Sequence, residues 1–159
     1  MTTVTFRSGV LAFDSKITED TLICGKSAKG RAYKNYLAAA CGSMQDIQAF
    51  LDWVGAGFKE EDKKKFGLDA REVEISGIVV DRKMNVLLFD NRLYPYPLEA
   101  PFYAFGSGAH LAIGAMAHGA SAYKAVKIAS QYDANTGGDI KLLTFRKRKA
   151  KANALTPTK

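Results

Sequence analysis

Short apolar runs separated by turn residues dominate the first part of the chain and predict β-strands. The runs TVTF at 3–6 and VLAF at 10–13 flank an Arg-Ser-Gly turn, so we expect them to pair as a hairpin. The polar segment 14–20 follows, and no element is predicted there. A second hairpin is expected between 21 and 41, built from the runs TLIC, RAY and YLAAAC with a tight turn at 34–35.

A helical pattern begins at Ser43, a residue type that favours the N-cap position of a helix. Apolar residues then recur at helical spacing, which puts them on one face. These residues are Ile47, Phe50, Leu51 and Val54. Gly55 and Gly57 are expected to end the helix. The charged segment 59–72 lacks an apolar stripe, so we expect a loop there with at most a short helix.

Three strands, two helices and a last strand are predicted in the rest of the chain. The predicted strands lie at 73–80, 84–89, 102–108 and 140–145, and the predicted helices at 109–118 and 122–131. The proline-rich segment 90–101 is expected to be extended or irregular. Strands grouped in hairpins, with helices between the groups, favour the α+β class, in which antiparallel sheets pack against helices.

The chain has 159 residues, and we expect a single domain at 1–145 followed by a basic tail at 146–159. Its 47% of hydrophobic and 25% of charged residues are typical of soluble globular proteins. A run of about 18 apolar residues, which a membrane-spanning helix needs, is not found, nor is the apolar run of a signal peptide. Cys24 and Cys41 have no metal-type spacing and fit a reducing compartment, so we expect a cytoplasmic protein.

The net charge of +7 is concentrated near the C-terminal end of the sequence. Residues 141–159 carry seven of the 23 Lys and Arg residues and no acidic residue, which leaves 16 basic and 16 acidic residues in 1–140. The body is therefore neutral. The tail predicts either a solvated terminus or an electrostatic arm for nucleic acid or an acidic partner.

Three short motifs do not indicate a site on their own. Gly25-Lys26-Ser27 resembles the end of a P-loop, but Asp20 stands where that motif needs a glycine. Gly106-Ser107-Gly108 lacks the third glycine of a dinucleotide fingerprint and the flanking glycines of a nucleophile elbow. His110 and His118 lack metal-ligand spacing, so we expect neither a metal nor another cofactor.

The start of the sequence contains a candidate nucleophile. Thr2 follows Met1, and removal of Met1 would leave a threonine whose free α-amine lies beside its own hydroxyl. Such a residue supplies both a nucleophile and its base. A strand directly follows Thr2, Asp14 ends the partner strand, and lysines follow in the next hairpin.

Four segments, in order, resemble the proteasome β-subunit family of N-terminal-nucleophile (Ntn) hydrolases, which includes bacterial HslV. They are TTVTF with GVLAFDS, the strand-to-helix junction YLAAACGSMQD, the FGSG turn and the DANTGGDI turn. The resemblance implies a four-layer αββα sandwich of two antiparallel sheets flanked by helices, here with a shortened second helix. It also implies self-association into rings that cleave peptides or unfolded proteins, often with an ATP-dependent unfoldase.

The resemblance assigns catalytic roles to particular residues. Thr2 corresponds to the nucleophile, and Asp14 corresponds to its acidic partner. Lys29 best matches the active-site lysine, with Lys26 as the competing assignment.

Further positions follow from the two later turns and from the YLAAAC strand. Ser107 and Asp133 match the pair that hydrogen-bonds near the terminal amine, and Thr136 and Gly137 support their turn. Ala39 stands where the family has the glycine that donates to the oxyanion. The residues expected to line the substrate pocket, with a preference for a modest apolar side chain, are Leu37 and Cys41.

Two other functions are open on the sequence alone. A catalytically inactive homologue could act as a ring-forming structural protein or a partner-binding module, and retention of Met1 would favour it. A nucleic-acid-binding protein would use the basic tail, although the neutral body counts against it.

Overall fold

The computed structural model describes residues 2–19, 22–69 and 73–145. Within them, four antiparallel strands form the first sheet in the order β10-β1-β2-β11. These strands are β1 (Thr3–Arg7), β2 (Val10–Asp14), β10 (Phe102–Gly106) and β11 (Ile140–Leu143). The predicted hairpin of β1 and β2 is confirmed, and β10 and β11 pair with its two outer edges.

A second sheet contains five described strands in the order β5-β6-β7-β8-β9. They are β5 (Gly30–Ala32), β6 (Tyr36–Gly42), β7 (Ile75–Asp81), β8 (Val86–Phe89) and β9 (Pro95–Pro97). All neighbouring pairs are antiparallel. The proline-rich β9 lies at the edge of the sheet, where a residue without an amide hydrogen is tolerated.

The polar segment 14–20, where the sequence predicts no element, contributes a strand. This strand, β3 (Lys16–Glu19), pairs with β4 (Leu22–Lys26) to form a two-stranded ribbon. The expected hairpin between 21 and 41 therefore contains only β5 and β6, and β4 lies outside it. Most ribbon side chains are exposed or half-buried, so the segment 14–20 lacks the apolar alternation that identifies a half-buried strand.

Three α-helices and one 3-10 helix occur in the described ranges. They are α1 (Met44–Gly55), the 3-10 helix Glu60–Phe66, α2 (Ala109–Ala117) and α3 (Ala122–Tyr132). Ser43 caps α1 and Ser121 caps α3, each accepting a hydrogen bond from an amide in the first turn. The 3-10 helix confirms the expectation of a short helix within 59–72. No helix in these ranges is long and apolar enough to cross a membrane.

The layers follow the order helix, sheet, sheet, helix. On one side, α1 packs its apolar face, with Phe50 and Trp53, on the second sheet. Between the sheets, Leu11 and Phe13 of the first sheet pack against residues of the second. On the other side, α2 and α3 pack on the first sheet through small residues such as Ala129. The predicted four-layer αββα sandwich is confirmed.

We expect Phe50→Ala to destabilise the fold strongly. Phe50 is fully buried, and the centroid of its ring lies 5.3 Å from that of the Phe89 ring. A Cβ at Gly77 would lie 2.7 Å from Phe50 Cζ. Truncating such a side chain leaves a cavity, so the free energy of unfolding should fall by about 3–5 kcal/mol in urea denaturation. The control is Tyr132→Ala, at a residue that is 76% exposed. Its effect should stay within about 0.5 kcal/mol, and equal losses in the two variants would contradict this assignment of the core.

Candidate active site

Asp14 lies at the centre of the candidate site, because its carboxylate accepts hydrogen bonds from separate segments of the chain. It ends β2 and is fully buried. Its Oδ1 accepts a hydrogen bond from the amide of Thr3 at 2.9 Å. Its Oδ2 accepts from the amides of Lys16 and Gly137, each at 3.1 Å. These bonds compensate the loss of hydration that burial imposes on a carboxylate.

Lys29 supplies the opposite charge. Its Nζ lies 3.4 Å from Asp14 Oδ2 and also donates to the carbonyl oxygen of Lys16. Burial lowers the pKa of the Lys29 ammonium below its ordinary value, against the opposing effect of Asp14, which favours the charged form. Lys26, the competing assignment, is exposed and pairs with Asp139 at 3.3 Å. The structure therefore brings Lys29, rather than Lys26, to Asp14.

A second polar cluster forms around Asp133, directly after α3. Its Oδ2 accepts hydrogen bonds from the hydroxyl of Ser107 at 2.6 Å and from the hydroxyl of Thr136. Its Oδ1 accepts from the amide of Asn135 at 3.2 Å. Partial burial raises the pKa of Asp133, but the hydrogen bonds from Ser107, Thr136 and Asn135 outweigh it and hold the pKa below its ordinary range.

Thr2 lies where the two clusters meet. Its carbonyl oxygen accepts a hydrogen bond from the amide of Ser107 at 3.0 Å, while the next residue, Thr3, donates its amide to Asp14. Gly106, with a φ of +97°, permits this approach, since a Cβ there would lie 1.8 Å from the Thr2 carbonyl oxygen. The backbone around Thr2 is thus held by both clusters.

Thr3 belongs to this cluster of polar residues, although no motif in the sequence points to it. It is fully buried, and its hydroxyl oxygen accepts a hydrogen bond from the amide of Gly108 at 3.0 Å. The same oxygen lies 2.6 Å from the hydroxyl oxygen of Thr136. Strand alternation places Thr3 and Thr5 on one face, but it does not tell a buried polar face from an exposed one. That is why the pattern TTVTF gives no signal for Thr3.

The amide of Ala39 does not face the β5 side of its strand. The neighbouring amide of Ala40 donates to the carbonyl of Lys29 at 2.9 Å, and successive amides of a strand point to opposite neighbours. The amide of Ala39 therefore faces β7, where Ala39 lies opposite Ile78. This departs from the expectation that Ala39 supplies a free donor for an oxyanion.

Gly42 presents its amide on the same side of β6 as Ala40. It lies at the exposed end of the strand, with a φ of +133°. A Cβ at this position would lie 1.7 Å from the carbonyl oxygen of Glu74, so only glycine fits. The sequence does not reveal which way this amide points, because the alternation of amides depends on which strands flank β6.

The two residues expected to line the substrate pocket lie in different surroundings. Leu37 is buried in the core between the sheets and opposite Val80, so it has no surface to offer a substrate. Cys41 is partly buried beside Ser76. Burial raises the pKa of the Cys41 thiol, against the opposing effects of Ser76 and the Lys29 ammonium. Of the pair, Cys41 is the one near Lys29.

Metal-binding geometry is not seen in this site. Within residues 2–19, 22–69 and 73–145, no group of three or more His, Cys, Asp or Glu side chains is arranged to hold a metal ion. Cys24 and Cys41 are both free thiols.

The architecture is similar to that of several solved structures. BPH of Thiobacillus denitrificans in complex with epoxomicin matches with a TM-score of 0.66 and 16% identity, over 89% of this chain and 96% of that chain. A eukaryotic HslV from Trypanosoma brucei matches with a TM-score of 0.64 and 19% identity, over 91% of this chain and 100% of that chain. No family profile and no curated protein sequence matches the chain.

These likenesses confirm the fold that the sequence resemblance implies. The chain has the α+β fold of proteasome-like Ntn hydrolases, and its structure is similar to that of HslV. At 16% and 19% identity, what is shared is the fold. The roles of individual residues therefore depend on the geometry of this chain.

We expect Asp133→Asn to make the free energy of unfolding less dependent on pH at acidic pH. The folded state holds the pKa of Asp133 below its unfolded value. The carboxylate therefore contributes stability above the unfolded pKa, and this contribution is lost as the pH falls through the folded pKa. Between about pH 6 and about pH 2.5, the wild-type protein should lose more free energy of unfolding than the variant. Urea denaturation at each pH measures the free energy of unfolding of both proteins. Equal losses in wild type and Asp133→Asn over this pH range would contradict the prediction.

Proposed function

We propose that this protein is a proteasome-like threonine peptidase in which Thr2, after removal of Met1, is the N-terminal nucleophile. The proposal rests on one observation: the buried Lys29–Asp14 pair and the Ser107–Asp133 pair both hold the backbone at Thr2 and Thr3. Burying a lysine is costly, so a buried lysine paired with Asp14, whose carboxylate also binds the amide of Thr3, is a candidate functional group.

Lys29 acts in this proposal by its charge. An ammonium close to the α-amine of Thr2 disfavours protonation of that amine and lowers its pKa toward working pH. Asp14 holds Lys29 in place and favours its charged form, against the effect of burial. The amine, directly or through one water, then takes the proton from the Thr2 hydroxyl.

The chemistry is an acyl transfer in two steps. The Thr2 Oγ1 bonds to the peptide carbonyl carbon, and the C–N bond breaks as the amine returns its proton to the leaving nitrogen. Water then attacks the resulting ester, which releases the second product and restores the Thr2 hydroxyl. Because Ser107 donates its hydroxyl proton to Asp133, its oxygen can accept a hydrogen bond from the α-amine and orient it.

We assign the oxyanion donor to the amide of Gly42 rather than to that of Ala39. The Gly42 amide faces away from β7 at the exposed end of β6, whereas the Ala39 amide faces β7. A backbone donor fixed in this way needs no reorganisation when negative charge develops on the carbonyl oxygen.

Self-association into rings forms part of the proposal, and α2 is the surface that we assign to it. This helix is almost entirely apolar, yet only Ala112 and Met116 among its residues are buried. Leu111 is 39% exposed and Ile113 is 37% exposed. A helix that is apolar all round is normally buried on all sides, so a second copy is the expected cover.

The remaining parts of the proposal concern partners and location. The substrate is a peptide or an unfolded protein, and an ATP-dependent unfoldase is the expected partner of such a ring. The protein is expected to act in the cytoplasm. The basic segment 146–159, which could bind nucleic acid, lies outside the described residues.

Thr2→Ala is expected to lower kcat/KM for short fluorogenic peptides by at least about a thousandfold, because it removes the nucleophile. The matched control is Thr144→Ala, the same chemical change at an exposed position, which should retain wild-type activity. The intact mass of the wild-type protein must also show loss of one methionine residue.

Two outcomes would overturn the peptidase proposal. One is equal cleavage by wild type and Thr2→Ala, which would assign the activity to another site or a contaminant. The other is full retention of Met1 in a host that processes amino termini, which would favour a ring-forming or partner-binding protein without catalysis.

Ile113→Asp is expected to shift the assembly to smaller species, because it places a charge on the apolar face of α2. Lys64→Gln changes the net charge by the same amount at an exposed position of the 3-10 helix and serves as the control. Analytical ultracentrifugation measures both variants. An unchanged mass for Ile113→Asp, in a protein that is oligomeric as wild type, would exclude α2 from the interface.

A further inference from the structure

Thr3 touches both polar clusters of the candidate site. Its amide donates to Asp14 Oδ1 at 2.9 Å, which connects it to the buried Lys29–Asp14 pair. Its hydroxyl oxygen lies 2.6 Å from that of Thr136, which in turn donates to Asp133. The residue directly after Thr2 therefore connects the two groups that surround the proposed nucleophile.

The available protons fix the direction of each hydrogen bond between these groups. An ionised carboxylate only accepts, so the Thr136 hydroxyl uses its proton toward Asp133. Thr3 Oγ1 accepts from the amide of Gly108 at 3.0 Å. The contact between the two hydroxyls must then be donated by Thr3. The order is Gly108 amide to Thr3 hydroxyl to Thr136 hydroxyl to Asp133 carboxylate, with each group donating to the next.

The hydrogen bonds from Gly108 through Thr3 and Thr136 to Asp133 form a relay, and little space is left around its two hydroxyl groups. A Cβ at Gly108 would lie 2.4 Å from Thr3 Oγ1 and 3.1 Å from Thr136 Oγ1. Thr3 is fully buried and Thr136 is almost so. A side chain on residue 108 would displace the Thr3 hydroxyl, so the glycine is needed for the relay as well as for the turn.

We propose that Thr3 is a positioning residue whose amide and hydroxyl join the Asp14–Lys29 pair and the Ser107–Asp133–Thr136 cluster into one unit that orients Thr2. The effect on turnover rests on the proposed peptidase function. The coupling between the clusters does not, and it can be measured in a protein with no activity.

Two consequences distinguish this role from ordinary core packing. Loss of the Thr3 hydroxyl leaves the Thr136 oxygen without its donor, which weakens the bond from Thr136 to the Asp133 carboxylate. It also frees one of the two constraints on the strand that carries Thr2, so reacting groups at Thr2 are less well aligned. A purely structural threonine would change stability and neither of these properties.

The experiment compares Thr3→Val, Thr3→Ser and Thr5→Val. Valine keeps the shape of threonine without its hydroxyl, whereas serine keeps the hydroxyl. Thr5 is the matched control, because it lies two residues along β1, is fully buried, and donates its hydroxyl to the carbonyl of Ala122 at 3.0 Å. The readouts are kcat and KM for peptide cleavage, and the titration of the Asp133 carboxyl carbon by NMR.

We expect Thr3→Val to lower kcat by about tenfold or more with little change in KM, since misalignment affects the chemical step. The Asp133 carboxyl should titrate at a higher pH in Thr3→Val than in wild type. Thr3→Ser should recover both properties, and Thr5→Val should resemble wild type in both.

The proposal is overturned if Thr3→Val matches Thr5→Val in kcat and in the Asp133 titration. If the wild-type protein cleaves no peptide, the peptidase proposal fails, while the Asp133 titration still decides whether Thr3 couples the clusters. If Thr3→Val does not fold, Thr3→Ala removes the same hydroxyl with less steric demand. Its kcat and its Asp133 titration are then compared with those of Thr5→Ala.

Discussion

A fully buried carboxylate has to be satisfied, and the arrangement around Asp14 follows from that constraint. Desolvating an ionised carboxylate costs several kcal/mol unless hydrogen bonds and an opposite charge offset it. Here the compensation comes from the amides of Thr3, Lys16 and Gly137 and from the Lys29 ammonium. These groups belong to the start of β1, the ribbon, the turn after α3 and the segment before β5. Burial of one side chain therefore requires four segments to converge.

The Lys29–Asp14 pair joins the two sheets, and it requires a close approach of β5 to the first sheet that Gly30 permits. Lys29 precedes the second sheet, whereas Asp14 ends a strand of the first. Between them, a Cβ at Gly30 would lie 2.4 Å from the Phe13 ring and 2.8 Å from the carbonyl oxygen of Ala38. Any larger residue would move β5 away from the first sheet or displace Phe13 from the core. The ion pair therefore depends on the packing between the sheets as much as on its own charges.

The parts of the fold that the sequence predicts are those determined by local pattern. The hairpin of β1 and β2, the helix that Ser43 caps and the glycine turn before α2 each follow from neighbouring residues. The ribbon of β3 and β4 does not, because its pairing uses backbone hydrogen bonds and most of its side chains remain accessible. Hydrophobic periodicity reflects which side chains are buried, so a strand whose side chains stay largely exposed does not show it.

The residues of the candidate site also fall into those that the sequence indicates and those that it does not. Asp14, Lys29 and Asp133 are assigned through the resemblance of short motifs, and the structure pairs Asp14 with Lys29 and Asp133 with Ser107. Thr3 and Gly42 do not stand out, because the direction of a hydroxyl or an amide is set by partners that are distant in the sequence. Since Asp14 supports the fold as well as the site, its loss would combine both effects. Asp133 is half-buried and accepts hydrogen bonds from Ser107, Thr136 and Asn135, so its replacement disturbs fewer segments of the chain than that of Asp14.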